Sequence, residues 1–493
     1  MIKTCKDLFP SYPPSPPMAK STPSQSPTQD LTDPCVHCGF CLSTCASYRI
    51  LGTETDSPRG RIHFLKAVEA DELSLADVAD HFDSCLGCYA CVTACPSGVR
   101  YDQLIAQVRP RLNDLPVRSP WQRLLRQALF TLLPYPGRLR WLLAPLRCYG
   151  GSWLQIMARR SGLTRLFGPE ISAMERLLPP LSAASFRDGF PLVTPAQGQR
   201  RARVGLVLGC VQRLFEPEVN AAVVRVLAAN GVEVVIPPRQ GCCGAVTDHQ
   251  GETAHTQALA RDLVAAFAAV VGAGKPAGAE PLDAVLVAAS GCGHTLKQYH
   301  KILDTATPWA EAGRPFAGGV KDVQEFLAEL DLSAPLQPLA PQPLKAVVHD
   351  PCHMLHGQGI AAAPRQLLAA IPGLTLASPL DAGVCCGSAG IYNIIQPEIA
   401  SQLGEEKCAD LTATGAQLCV SANIGCTLQL RQGFAAEAVG APLPVFHPAQ
   451  LLDCSIRGVG LDQVSPGLPL GGNTAGALIR LQGATLGSGD TQP

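Results

Sequence analysis

Two cysteine runs near the start of the chain have a spacing that implies chemistry: Cys35-x2-Cys38-x2-Cys41-x3-Cys45 and Cys85-x2-Cys88-x2-Cys91-x3-Cys95-Pro96. Two intervening residues let successive thiolates converge on one inorganic core, while the amides between them turn inward to hydrogen-bond its sulfides. A single Cys-x2-Cys also suits tetrahedral zinc. A third and a fourth cysteine at fixed spacing, twice over, are instead the pattern of a two-cluster ferredoxin, in which the fourth cysteine of each run crosses to the other cluster. The spacing rule therefore assigns Cys35, Cys38, Cys41 and Cys95 to one 4Fe-4S cluster, and Cys85, Cys88, Cys91 and Cys45 to the other. Gly39 and Gly87 would ease the wrapping. Ala46 stands where a proline follows the second run, a change in turn chemistry and not in iron ligation. Pro58-Arg59-Gly60-Arg61 brings two cations that could offset the charge of a reduced cluster, dock a partner, or simply open a solvated helix.

Eight further cysteines fall into two groups, Cys210, Cys242, Cys243 and Cys292, then Cys352, Cys385, Cys386 and Cys426. Each group follows one order: a buried-type strand (Val204 to Gly209; Ala346 to His349), a Cys-Cys-Gly, and a second strand (Ala284 to Ala289; Gln417 to Ser421) that ends near a cysteine. Equivalent cysteines recur about 140 residues apart, which marks a duplication. Ligands of open α/β sheets gather at strand ends, and neighbouring cysteines make strained disulfides. Further metal ligation or redox work is therefore expected of these eight. His294 and His353 sit beside them, and each alone reads as a loop or core residue.

The elements that must position these residues divide the 493-residue chain into several domains. Residues 1–34, with eight prolines between 10 and 34, read as a flexible arm. Residues 35–113 hold the two runs around a helical stretch from Arg61 to Ala79, with Phe64, Leu65 and Val68 at helical spacing. A connector at 114–200 carries nine arginines and no acid between Arg118 and Arg165, interleaved with Trp and Leu, and should fold as a hairpin around Pro134 to Gly137. The repeats occupy 201–340, with a helix expected over Glu218 to Asn230, and 341–455. A flexible tail follows at 456–493. The fold class is α+β overall: an α-helical two-cluster ferredoxin-type domain followed by two duplicated α/β cysteine-rich half-domains.

A net charge of −1 gives no reason to expect nucleic acid. The clustering of 21 cysteines suits a reducing compartment, and the N-terminus has no secretory pattern. A cytoplasmic protein is expected. The longest apolar stretch, Leu263 to Gly274, is far short of a membrane span. No strand-borne G-x-G-x-x-G or Walker motif is present, so no flavin, nicotinamide or nucleotide is expected on this chain.

The stretches PCVHCGFC, SPRGRIHFLK, CVTACPSGVRYDQL, QGCCGAVTDH, ASGCG, CCGSAGIYN and SANIGC closely resemble the iron–sulfur subunit of bacterial glycolate oxidase (glycolate dehydrogenase) over roughly residues 35–455. The repeats also resemble the cysteine-rich domain of heterodisulfide reductase and the iron–sulfur proteins of lactate and glycerol-3-phosphate oxidation. The resemblance implies an electron-transfer subunit with no catalytic residue of its own. FAD would reside on partner subunits, flavin-binding glycolate oxidase chains that make glyoxylate, and electrons would leave to an acceptor such as quinone. Arginines beside Trp and Leu in the connector suit either peripheral contact with the cytoplasmic face of the inner membrane or a partner surface. The alternatives are the corresponding role in lactate or glycerol-3-phosphate oxidation, a thiol/disulfide reductase, and a zinc-bound scaffold. In the heterodisulfide-reductase pattern each repeat ends in Cys-x2-Cys; here Ala289 and Asn423 stand in the first of those places. A five-thiolate extended cluster is therefore not expected, although four thiolates per repeat could hold a further iron–sulfur cluster.

Overall fold

The computed structural model of the chain describes residues 29–271, 280–303, 308–435 and 443–461. The inner ends of the expected arm (1–34) and tail (456–493) hold ordered, buried residues. Gln29–Thr32 is helical with Leu31 and Thr32 buried, and past 456 Leu461 is fully buried. Single apolar anchors are averaged away in Pro- or Gly-rich windows. Residues 1–28, 462–493 and the end of the apolar stretch from Gly272 onward lie outside the described residues.

In the first domain each cysteine run leads toward a helix, Ala46–Leu51 after the first and Tyr101–Asn113 after the second. The helix expected over Arg61 to Ala79 instead runs Pro58–Glu69. Its start is set by Ser57, whose Oγ accepts from Gly60 N at 3.0 Å, and by a proline in the first turn. Its end is enforced by Asp71, which adopts a left-handed φ of 58°, and by a turn closed from Ser74 Oγ to Asp77 Oδ2 at 2.6 Å. Ile62 and Leu65 pack with Phe82 and with Leu104, Ile105, Val108 and Leu112 of Tyr101–Asn113. Each such side chain contributes on the order of 1.5–3 kcal/mol by burial.

The repeats form two sheets with the same winding. Strands β1 (Val193–Thr194), β2 (Ala202–Val207), β3 (Val232–Val235), β4 (Ala284–Val287) and β5 (Val320–Asp322) are ordered β1-β3-β2-β4-β5, parallel except for β1 at the edge. Strands β6 (Leu344–His349), β7 (Leu374–Ala377), β8 (Leu418–Ser421) and β9 (Val445–Phe446) are ordered β7-β6-β8-β9, all parallel. Side chains alternate faces along a strand. Val204 and Leu206 of β2 and Ala346 and Val348 of β6 enter one core shared by both sheets, whereas Val207 and Val347 enter the separate cores that contain the cysteines. Helices Pro217–Ala229 and Pro448–Arg457 pack across the repeats, and Arg225 clamps the buried Asp453 through bonds of 2.9 and 2.8 Å.

The connector begins as the expected hairpin, with helices Pro120–Leu132 and Pro136–Leu143. Leu125, Leu129 and Phe130 pack on Ile391 and Ile394 of the second repeat, and Leu139 and Leu143 on Leu214 of the first. Its arginines find acids beyond the acid-free stretch: Arg118 pairs with Asp83, Arg140 with Asp188 and Arg159 with Glu175. Among the described residues no helix is long and apolar enough to cross a membrane.

One buried acid gives a pH prediction. Asp322 caps helix Val323–Leu330; its Oδ1 accepts from Gln324 N and Nε2 at 2.9 and 3.1 Å, while Oδ2 is buried without a hydrogen-bond partner. Burial raises its pKa to about 6. The native state thus holds this proton more tightly than the unfolded chain does, so stability falls as pH rises from about 4 to about 6 and is flat above. Asp322→Asn keeps a capping oxygen. Urea midpoints should show it more stable than wild type at pH 7, by about 2 kcal/mol, with the difference gone near pH 4.

Candidate metal centres

The two cysteine runs wrap two neighbouring cavities. One is lined by Cys35, Cys38, Cys41 and Cys95, and the other by Cys45, Cys85 and Cys88; Cys91 lines both. The fourth cysteine of each run thus faces the cavity of the other run. The wrapping rests on two left-handed backbone positions per run: His37 (φ 55°) and Gly39 (φ 86°) in the first, Gly87 (φ 61°) and Tyr89 (φ 64°) in the second. Glycine occupies one position of each pair and a bulkier residue the other, at a cost of about 1 kcal/mol or more for each non-glycine. The turns bring amides to sulfur, as Gly87 N donates to Cys85 Sγ and Val99 N to Cys95 Sγ, both at 3.4 Å. Openings ringed by converging sulfurs and inward amides fit 4Fe-4S clusters.

The two cations of Pro58-Arg59-Gly60-Arg61 separate. Arg59 lines the first cavity, with Nη1 donating to His37 O at 2.8 Å and Nε to Glu54 at 2.5 Å. Arg61 lines the second and is fully buried, so the solvated-helix reading fails for it. Its guanidinium donates to His81 O, to Ser47 Oγ at 3.0 Å and to Ser84 Oγ at 2.8 Å, with Asp56 at 3.7 Å. Arg109, also buried, donates to Cys85 O at 2.7 Å and to His249 O at 2.5 Å. Burial opposes ionisation of the Cys85 thiol, but Arg61 and Arg109, with the Gly87 amide and the Tyr101 hydroxyl, together hold its pKa below the ordinary value. Burial pushes Cys88 and Cys91 well above theirs.

The cavity walls continue into the repeats. His353 Nε2 donates to Gly87 O at 3.0 Å, Tyr392 Oη to Ser84 O at 2.9 Å, and Arg49 to Asp381 at 2.8 Å. Tyr89 stacks on His353 with ring centres 5.0 Å apart and 6° between planes. His294, His353 and His249 form one group, with His353 4.8 Å from His294 and 5.5 Å from His249. The two histidines read singly from sequence are therefore joined to a third, and this site, like Arg109, was invisible locally because its members are far apart in the chain.

Within the first repeat Cys210 Sγ and Cys242 Sγ are 3.1 Å apart, and Cys243, which is buried, contacts Cys292. Within the second, Cys352 and Cys385 are 3.9 Å apart, and Cys386 contacts both Cys385 and Cys426. Cys210 follows β2, Cys292, Cys352 and Cys426 sit in the first turns of the helices that follow β4, β6 and β8, and the two adjacent pairs lie on loops after β3 and β7. Asn423 fills the place of the missing cysteine with hydrogen bonds: Nδ2 donates to Cys426 Sγ at 3.3 Å and Oδ1 accepts from Gly291 N of the other repeat at 3.3 Å. Ala289 is buried at the matching place.

Comparison with known proteins agrees with this layout. The profile of the 4Fe-4S dicluster domain matches residues 32–99, that of the cysteine-rich domain 204–297 and 346–431, and that of the glycolate oxidase iron-sulfur subunit linker region 121–178. The chain is 35% identical over 425 residues to "Probable glycolate oxidase iron-sulfur subunit" of Bacillus subtilis (strain 168), covering 85% of this chain and 92% of that one. It is 34% identical over 399 residues to "Glycolate oxidase iron-sulfur subunit" of Escherichia coli (strain K12), covering 80% and 89%. "Lactate utilization protein A 1" of Bacillus mycoides (strain KBAB4) is 29% identical over 257 residues, 51% of this chain and 96% of that one. The dicluster domain carries two 4Fe-4S clusters, and the chain belongs to the family of glycolate oxidase iron–sulfur subunits, the electron-transfer component of an oxidoreductase complex.

Proposed function

We propose that this chain takes electrons from flavin-binding partner subunits that oxidise glycolate to glyoxylate, and delivers them to a quinone. Cys35, Cys38, Cys41 and Cys95 would hold one cluster and Cys85, Cys88, Cys91 and Cys45 the other. The observation that carries this reading is the pair of adjoining cavities with crossed cysteine linings. When bound, each cluster exchanges one electron, whereas removing hydride from an alcohol needs a two-electron acceptor such as a flavin. The residues of this chain supply the setting. Arg59, Arg61 and Arg109 place positive charge beside the thiolates, which favours the more negative, reduced state. The left-handed turns aim amides at the sulfurs.

The connector offers the docking surface. Trp141 and Leu166 are each 81% exposed, and Trp153, Phe167, Met157 and Ile156 are exposed nearby in sequence, among arginines. Such a surface suits a partner chain or an anionic membrane. Anaerobic co-purification with the flavin subunits, followed by glycolate-dependent reduction of a soluble quinone, tests the reading. Trp141→Glu combined with Leu166→Glu should lower quinone reduction at least tenfold with cluster content unchanged. Full activity would remove the connector from docking, and glycolate oxidation that never reduces the clusters would overturn the reading as a whole.

A further inference from the structure

Strand β6 carries a polar residue that its counterpart in the first repeat lacks. His349 ends β6 three residues before Cys352, as Val207 ends β2 three residues before Cys210. Alternation places His349 on the same face as Val347, the face that packs with Cys386, Cys408 and Cys426. An imidazole nitrogen of His349 and the sulfurs of Cys386 and Cys426 lie within 4.8 Å of one another, and all three residues are buried. In the first repeat, by contrast, Val207 packs apolar surface against Cys210, Cys242 and Cys243.

We propose that the second repeat binds a single divalent zinc or iron ion through His349, Cys386 and Cys426, with Cys385 as the fourth ligand. The inference rests on reading the repeat cysteines as thiolate ligands. It goes beyond that reading by naming a nitrogen ligand and a mononuclear site. Donors around one tetrahedral ion with bonds of about 2.0–2.3 Å stand about 3.5–3.8 Å apart. For His349, Cys386 and Cys426 the observed spread needs a contraction of about 1 Å at most to reach this, and Cys385, in contact with Cys386, would turn in from beside them. Ligands of a cubane each hold a different iron and stand wider. A mixed nitrogen and sulfur set suits zinc or iron over harder cations.

The surroundings are those of a ligand set. Ser421 Oγ lies 3.2 Å from His349 Nδ1 and fixes the ring, and Asn423 Nδ2 donates to Cys426 Sγ at 3.3 Å. A divalent ion with three thiolates and one imidazole carries one net negative charge. The buried Lys407, 3% exposed and close enough to Cys385 and Cys386 to interact with them, supplies the opposite one.

Metal analysis of the full chain purified anaerobically tests this. Wild type should hold one ion per chain beyond the iron matched by acid-labile sulfide, and reconstitution with Co²⁺ should give a thiolate-to-cobalt absorption band. His349→Val, which copies the first repeat, should lose that ion and the cobalt band with cubane iron and sulfide unchanged, the retained clusters showing that the chain is folded. His349→Cys should keep both. Cys88→Ser should behave in reverse, losing cubane iron and keeping the ion, so failure here is distinct from failure of the cluster assignment. Full occupancy in His349→Val, or a wild-type chain whose metal is entirely sulfide-matched iron, overturns the proposal.

Discussion

Cys88→Ser is expected to bring glycolate-dependent dye reduction by the assembled complex to background, a loss of a hundredfold or more, and to remove about four of roughly eight cubane irons per chain. Cys88 lines the second cavity and packs beside Cys352, Leu86 and Cys385, at the seam between the first domain and the second repeat. A serine hydroxyl is a poor iron ligand at neutral pH, and a corner lost in this setting leaves Cys85 and Cys91 facing an unfilled cavity. If electrons cross both cavities in series, the remaining cluster cannot compensate. Iron and sulfide determination together with stopped-flow reduction of the complex checks both halves of the prediction. Undiminished activity with a depleted second cluster would place that cavity off the electron path.

Cys88 also shows how much could be read from sequence. The cysteine runs were legible because ligand spacing is local: three thiols within seven residues specify a core without reference to the rest of the fold. The repeats were legible because period-two apolar strands and Cys-Cys-Gly recur in one order, and the matching strand windings follow from that duplication. What could not be read depends on contacts between distant segments. His353 meets Gly87 across 266 residues and Arg109 meets His249 across 140. Apolar spacing carries the helix on to Ala79, past its end at Glu69, because no spacing rule registers a left-handed Asp71. His349 had a signal that single-residue reading passes over: aligned on the duplication, it stands opposite Val207, a polar residue in a strand that should be apolar on both faces.

Arg61 is the other residue whose loss should be severe, and its location explains why. The sequence offers Arg59 and Arg61 as equivalent cations, yet Arg59 is on the surface and Arg61 is 0% exposed. Arg61 links three segments: Ser47 after the first cysteine run, Asp56 before its own helix, and His81 and Ser84 before the second run. Asp56 in turn accepts from Ser84 Oγ at 2.8 Å and contacts His81 Nδ1 at 3.0 Å. Arg61→Met conserves much of the apolar stem but leaves Asp56 without its buried counter-charge, a change that costs about 3–5 kcal/mol when one partner of a buried pair is removed. Arg61→Lys retains the charge but cannot reproduce the planar fork to three acceptors, and should fall between wild type and Arg61→Met. Urea midpoints of the cluster-loaded chain should follow that order. The same series separates charge from scaffolding at the second cavity. Removing the guanidinium takes positive charge from beside Cys85 and so disfavours the reduced cluster, which should lower its reduction potential in Arg61→Met and much less in Arg61→Lys. If potentials in both variants shifted equally while stability followed the expected order, Arg61 would act on the cluster through the shape of the loop, and its charge would serve the fold alone.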